Sequence, residues 1–239
     1  MAEDAFDFYP CMVDGAPASI YVNLRFEHDP PPAGADTRCT LAIALRDAGA
    51  YGIGSAEEAE TLGALEEQVL ATAAARGLVF AGRLRHRGVW ELTFYGPAGA
   101  CAALAQPDDL GGRHVTSTSE PDPAWRYYRD LLLPDAERLR WMDDRRLVQI
   151  LREHGDSLVG PRRVDHRVRF ATEADRDAFV VDIARHGFAR EPDADAVVAR
   201  VWRVDPIELD HVHEVVMVLV DAAFAGRGIY EGWTAPIER

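Results

Sequence analysis

The feature that most restricts what this chain can fold into is a hydrophobic period that switches back and forth, in nearly the same order, in each half. In the second half residues 163–170 alternate strictly, with Val164, His166, Val168 and Phe170 on one face and Asp165, Arg167 and Arg169 on the other, the period of a half-buried strand. Thr172, with Asp175 three residues on, caps a helix that turns Phe179, Val180 and Ile183 inward and stops at Gly187. Residues 188–191 and 196–204 read as two further strands. Asp205-Pro206-Ile207-Glu208 then opens a second helix, with Asp as the cap, Pro at the first helical position and Glu at the third. Val212, Val215, Val216, Leu219 and Val220 face its core, and Gly226-Arg227-Gly228 ends it before a strand at 229–233. The order is β-α-β-β-α-β.

The first half shows that order with one strand added in front. After a hydrophobic start, residues 19–26 and 40–45 read as strands separated by Pro30-Pro31-Pro32 and Gly34. Ser55 and Glu58 form a capping box ahead of Leu62, Leu65, Val69 and Leu70, and Gly77 closes the helix. Residues 78–87 and 89–95 alternate around Gly88 as a hairpin, a short Ala-rich helix follows Pro97, and 114–119 is a Thr/Ser-rich strand. Asp122-Pro123-Ala124-Trp125 opens a helical stretch running to 143 with a break near Pro134, and 145–154 is helical again. The pattern predicts an α+β chain: a tandem of two ferredoxin-like sandwiches with antiparallel sheets, the first with an extra strand. The boundary falls near Asp135, giving units 1–135 and 136–239.

Charge narrows the function classes. The formal net charge is -14, and all 26 basic residues are arginine, which suggests a GC-rich genome. Residues 1–139 hold 21 acids against 11 arginines and residues 140–239 hold 19 against 15. Such a surface repels phosphate at long range and attracts a basic protein partner. No apolar run approaches membrane-spanning length and the N-terminus lacks the features of a secretory signal. Cys11, Cys39 and Cys101 fit neither a disulfide framework nor a metal site, so a reducing, cytoplasmic location is expected, and Cys101 reads as a packing thiol.

The element order of the second half, residues 147–155 followed by Asp156, and Tyr230-Glu231-Gly232-Trp233 after a long apolar helix together carry a likeness. In these features the second half resembles the RraB family, bacterial regulators of the endoribonuclease ribonuclease E. The first half is similar to an uncharacterised bacterial domain often joined to such a module, through residues 18–24, Leu65-Glu66, Phe94-Tyr95, and Asp122-Pro123-Ala124-Trp125 with Tyr128. The resemblance implies inhibition without chemistry, by docking on the scaffold region of the nuclease.

Nothing in the sequence contradicts a non-catalytic role. There is no GxGxxG, P-loop, GxSxG or HExxH, and no cofactor is expected. In Asp210-His211-Val212-His213-Glu214 the two imidazoles, two apart on a helix, point in nearly opposite directions and cannot share an ion; His211 and Glu214 read as a solvated polar pair. His86 and His166 occupy core-facing strand positions. RNA-recognition domains share the β-α-β-β-α-β order, and alternation places Arg167 and Arg169 on an open sheet face with Arg200 and Trp202; a similar stripe is Arg83, Arg85 and Arg87. The missing aromatic signature of those domains, the negative net charge, and pairing of these stripes with acids such as Asp165 and Glu91 or their use in docking the two domains make direct nucleic-acid binding the lesser expectation. The expected partner-binding residues are Tyr230, Glu231, Trp233, Arg167, Arg200 and Trp202, with core packing the default for Tyr230 and Trp233.

Overall fold

The computed structural model describes residues 3–104, 110–192 and 195–238. The chain divides into two compact units, Met1–Asp135 and Ala136–Arg239, each an α+β structure built on one antiparallel sheet.

The first unit has strands β1 (Phe6–Val13), β2 (Ala16–Asn23), β3 (Thr37–Ala44), β4 (Val79–His86), β5 (Val89–Gly96) and β6 (Val115–Pro121), in the order β1-β2-β4-β5-β3-β6. Helices α1 (Ala56–Ala75) and α2 (Ala98–Leu104) cover one face, where Cys39, Leu41, Ile43, Trp90, Leu92 and Phe94 meet Leu62, Val69, Ala73, Cys101 and Leu104. Ser55 caps α1 by accepting the Glu58 N–H, and Glu58 itself is buried against Arg113.

Two strands, not one, precede the β-α-β-β-α-β part. β1 pairs with β2 through Asp14-Gly15, whose φ angles of 47° and 72° make the tight turn that suits twisted hairpins. Pro10 interrupts the strand signal but is tolerated, because β1 is an edge that needs no second partner.

The helix expected after Asp122 is a single π-helical turn at Tyr128–Leu132. The Asp122 carboxylate accepts the Arg126 and Tyr127 N–H groups (2.8 and 3.1 Å) and the Tyr95 hydroxyl (2.7 Å), and Trp125 adopts φ 53°. The segment thereby lies flat on the sheet face opposite α1, with Trp125 stacked on Tyr95 at 4.0 Å and the Tyr128 hydroxyl donating to the Asn23 carbonyl (2.8 Å).

The second unit has β7 (Arg162–Arg169), β8 (Ala189–Glu191), β9 (Val198–Asp205) and β10 (Ile229–Thr234), in the order β10-β7-β9-β8. Helices α4 (Glu173–Ile183) and α5 (Leu209–Ala225) cover one face, so that Val164, Val168 and Val201 pack on Phe179, Ile183, Val212, Val216 and Leu219. A third helix, α3 (Ala136–Glu153), is continuous through 143–145 and packs beside α5, adding Val148 and Leu151 to this core. Asp205 is not the cap of α5. It ends β9, and its carboxylate is taken by Arg203 (2.8 Å) and His211 (2.9 Å), so α5 starts later, at Leu209. Asp156 pairs with Arg162 at 2.6 Å, both side chains almost wholly buried; this hydrogen bond holds the Asp156 carboxyl at about 2.

Candidate functional site

Residues 230–233 owe their arrangement to one glycine. Simple alternation would send Tyr230 and Gly232 to one face and Trp233 to the other. Between Tyr230 and Gly232 the register with β7 shifts, and Gly232 sits at φ 130°, a conformation closed to most side chains. The bulge returns Trp233 to the same side as Tyr230, and both rings are buried (4% and 5% exposed).

Each buried ring has a polar tether. The Trp233 indole donates to Asp144 Oδ1 at 2.9 Å, and His213 Nδ1 lies 2.9 Å from Asp144 Oδ2, so one carboxylate on α3 ties together β10 and α5. Burial pushes the Asp144 carboxyl above the usual range despite these bonds. The Tyr230 hydroxyl and His166 Nδ1 are 2.8 Å apart, and burial lowers His166 to about 4, keeping its ring neutral at physiological pH. Tyr230 and Trp233 therefore anchor the edge strand through buried rings.

The other expected contact residues do reach the surface. On the sheet face away from the helices, Glu231 takes Arg167 (2.5 Å) and Arg169 (2.7 Å), and Asp195 takes Arg169 (2.9 Å). Arg163 binds Asp165 (2.9 Å) and Glu191, and its guanidinium lies 4.8 Å from the centre of the Trp202 ring. Arg200 is exposed directly opposite Arg167 in the register. A groove of about 330 Å³ brings Arg167, Arg200, Glu231 and Trp233 together with Leu147 and Asp165. Trp202 does not line it. The face is a lattice of alternating charge, and exposed pairs of this kind each contribute about 0–1 kcal/mol, so they are easily traded for contacts with a partner.

The remaining candidates are engaged elsewhere. His211 reaches back to Asp205 and His213 to Asp144, so His211 and Glu214 are not the polar pair their spacing suggests. Arg83 binds Glu66, on α1 (2.5 Å), and Glu91 accepts from the Tyr127 hydroxyl, so Glu91 is not the partner of the first arginine stripe. Cys101 is buried in contact with Cys39, whose thiol burial pushes up to about 12. His86 is half-buried near the Pro17 carbonyl. Among the described residues no three His, Cys, Asp or Glu side chains are grouped to hold a metal, and no helix is long and apolar enough to cross a membrane.

Residues 4–133, the span from the start of β1 to the end of the flat aromatic segment, match the model of a family of unknown function, DUF695. The chain belongs to that family. Following the DUF695 part, residues 141–234, from Trp141 in α3 to the end of β10, match a second family model, regulator of ribonuclease activity B (RraB). No curated protein matches the chain.

Proposed function

We propose that the second unit of this DUF695 protein is a ferredoxin-like binding module that modulates a ribonuclease by occupying it, ribonuclease E being the partner to test first, and that it does so in the cytoplasm without chemistry of its own. The observation that carries the proposal is the RraB match over 141–234. The sheet order β10-β7-β9-β8, with one helix between β7 and β8 and another between β9 and β10, supports the ferredoxin-like assignment. The same order recurs in the first unit as β6-β3-β5-β4. The contact surface is the open sheet face: Trp202 is its half-buried aromatic, and Glu231, Arg167 and Arg200 line the adjoining groove. The net charge of -14 favours a basic segment of the partner and makes association salt-sensitive. An RNA ligand on this same face is disfavoured, because carboxylates already engage Arg163, Arg167 and Arg169.

The test is cleavage of a fluorescent RNA by purified ribonuclease E with increasing full-length protein, alongside direct capture of the nuclease. Wild type is expected to slow cleavage, and Trp202→Ala and Glu231→Arg, both at surface positions, to weaken capture and inhibition together. Cleavage unaffected by excess wild type at low salt would sink the proposal.

A further inference from the structure

The two strands that precede the β-α-β-β-α-β part of the first unit extend its sheet beyond the helix layer. Register identifies the face they expose: Phe8 lies opposite Tyr21, Tyr21 opposite Arg83, and Arg83 opposite Leu92, which packs under the helices. Past the helices this face carries Phe6, Phe8 and Met12 from β1 and Tyr21 from β2, and at its margin, where α1 packs on β4, Arg83 and Arg85. Phe8 and Met12 are 41% and 59% exposed, and Phe6 and Tyr21 are half-buried, stacked at 5.1 Å.

The arginines on this wing differ from those of the second unit. Arg83 and Arg85 both lie on the Trp90 ring, at 4.6 and 4.3 Å. Arg83 is neutralised by Glu66, which also accepts the Trp90 indole N–H (3.0 Å). Among the described residues no carboxylate pairs with Arg85, and its buried Nε finds no acceptor. Arg87, exposed at the following turn, spends one N–H on the Asp14 carbonyl, and among the described residues no carboxylate pairs with it. The stripe thus presents two cations, two residues apart, with no ion-pair partner among the described residues, Arg85 drawing only longer-range attraction from Glu66, beside a row of aromatic rings in a chain whose net charge is -14. An arginine held half-buried without an anion costs stability unless an anion arrives.

We propose that this wing of the first unit binds a short stretch of single-stranded nucleic acid, its phosphates on Arg85 and Arg87 and a base on Phe8, the Tyr21 ring being covered by Phe6 (5.1 Å) and Arg83 (4.7 Å). An acidic peptide would use the arginines alone; a single strand uses the cations and the exposed Phe8 ring at once, since every base offers a stacking face. A duplex keeps its bases stacked internally and uses only the cations. This site goes beyond the ribonuclease-binding reading of the second unit, and measuring it with no nuclease present keeps the two separable.

The probe is a fluorescein-labelled RNA of about ten nucleotides, titrated with the full-length protein and read by anisotropy. Saturable binding is expected, with affinity falling about sevenfold between roughly 50 and 200 mM salt, as two released counterions require. Arg85→Gln and Phe8→Ser, each checked for unchanged circular dichroism, should each weaken binding about fivefold or more, and the duplex of the same sequence should bind less well. Absence of binding at low salt, wild-type affinity in Arg85→Gln, or equal competition by a polyglutamate of similar length would each overturn the proposal.

Discussion

His166 gives the sharpest prediction. Its ring is 2% exposed on β7, held by the Tyr230 hydroxyl and the edge of Phe188, and burial lowers its pKa from 6.5 to about 4. The folded-state value is depressed, so the unfolded chain takes up a proton near 6.5 while the folded one refuses it until about 4. Stability from this residue is therefore fully present above pH 6.5 and is lost as the pH falls through that window. Linkage over these two values gives a loss of about 2 kcal/mol between pH 7 and pH 5, and about 3 kcal/mol once the pH is below 4. An NMR titration of the imidazole protons in the full-length protein, with urea unfolding at pH 7 and pH 5, measures both quantities. His166→Phe should lose the Tyr230 hydrogen bond and with it some stability at pH 7, yet show a flatter profile down to pH 5. An imidazole that titrates near 6.5 in the folded protein, or a His166→Phe profile as steep as wild type, would refute the burial account.

Asp144→Ala removes the acceptor of the Trp233 indole and the partner of His213, leaving buried polar groups unmet at a cost of about 2–4 kcal/mol, measured as a lower urea midpoint for the second unit; Asp144→Asn should lose less. Gly232→Ala forces a Cβ into φ 130° with open space around it, so strain alone should cost about 1–3 kcal/mol, read by thermal unfolding. Alkylation of the native protein with iodoacetamide should mark Cys11, which is half-buried, well before Cys39 and Cys101, whose thiols are buried and raised in pKa; mass spectrometry of the digest gives the order.

Most of the second unit was legible because its strands and helices carry their faces in the local pattern: Val164, His166 and Val168 needed only a period of two to be placed inward. What escaped was set by distance or by turn chemistry. The hairpin through Asp14-Gly15 carries a strong turn signal, but Pro10 masks the strand before it. Asp205 has the sequence of a helix cap, and only the fold brings Arg203 and His211 to claim its carboxylate first. Asp144 is 69 residues from His213 and 89 from Trp233, so nothing local marks it as their shared acceptor. Of the six expected contact residues, four line one groove, yet the pairing of Arg167 with Glu231 depends on a bulge that pattern alone does not fix. The unpaired state of Arg85 is likewise a tertiary fact, since Glu66 sits on a helix and reaches Arg83 instead.

The bulge at Gly232 divides labour within four consecutive residues. Tyr230 and Trp233 are fixed by what lies beneath them, so a change at either is felt as a loss of fold. Glu231, between them, pairs with Arg167 and Arg169 on the outer surface. Reversing the charge at position 231 would therefore leave the packing of Tyr230 and Trp233 in place while setting a cation against Arg167 and Arg169, so that its effect falls on the charge pattern of the outer face and not on the core.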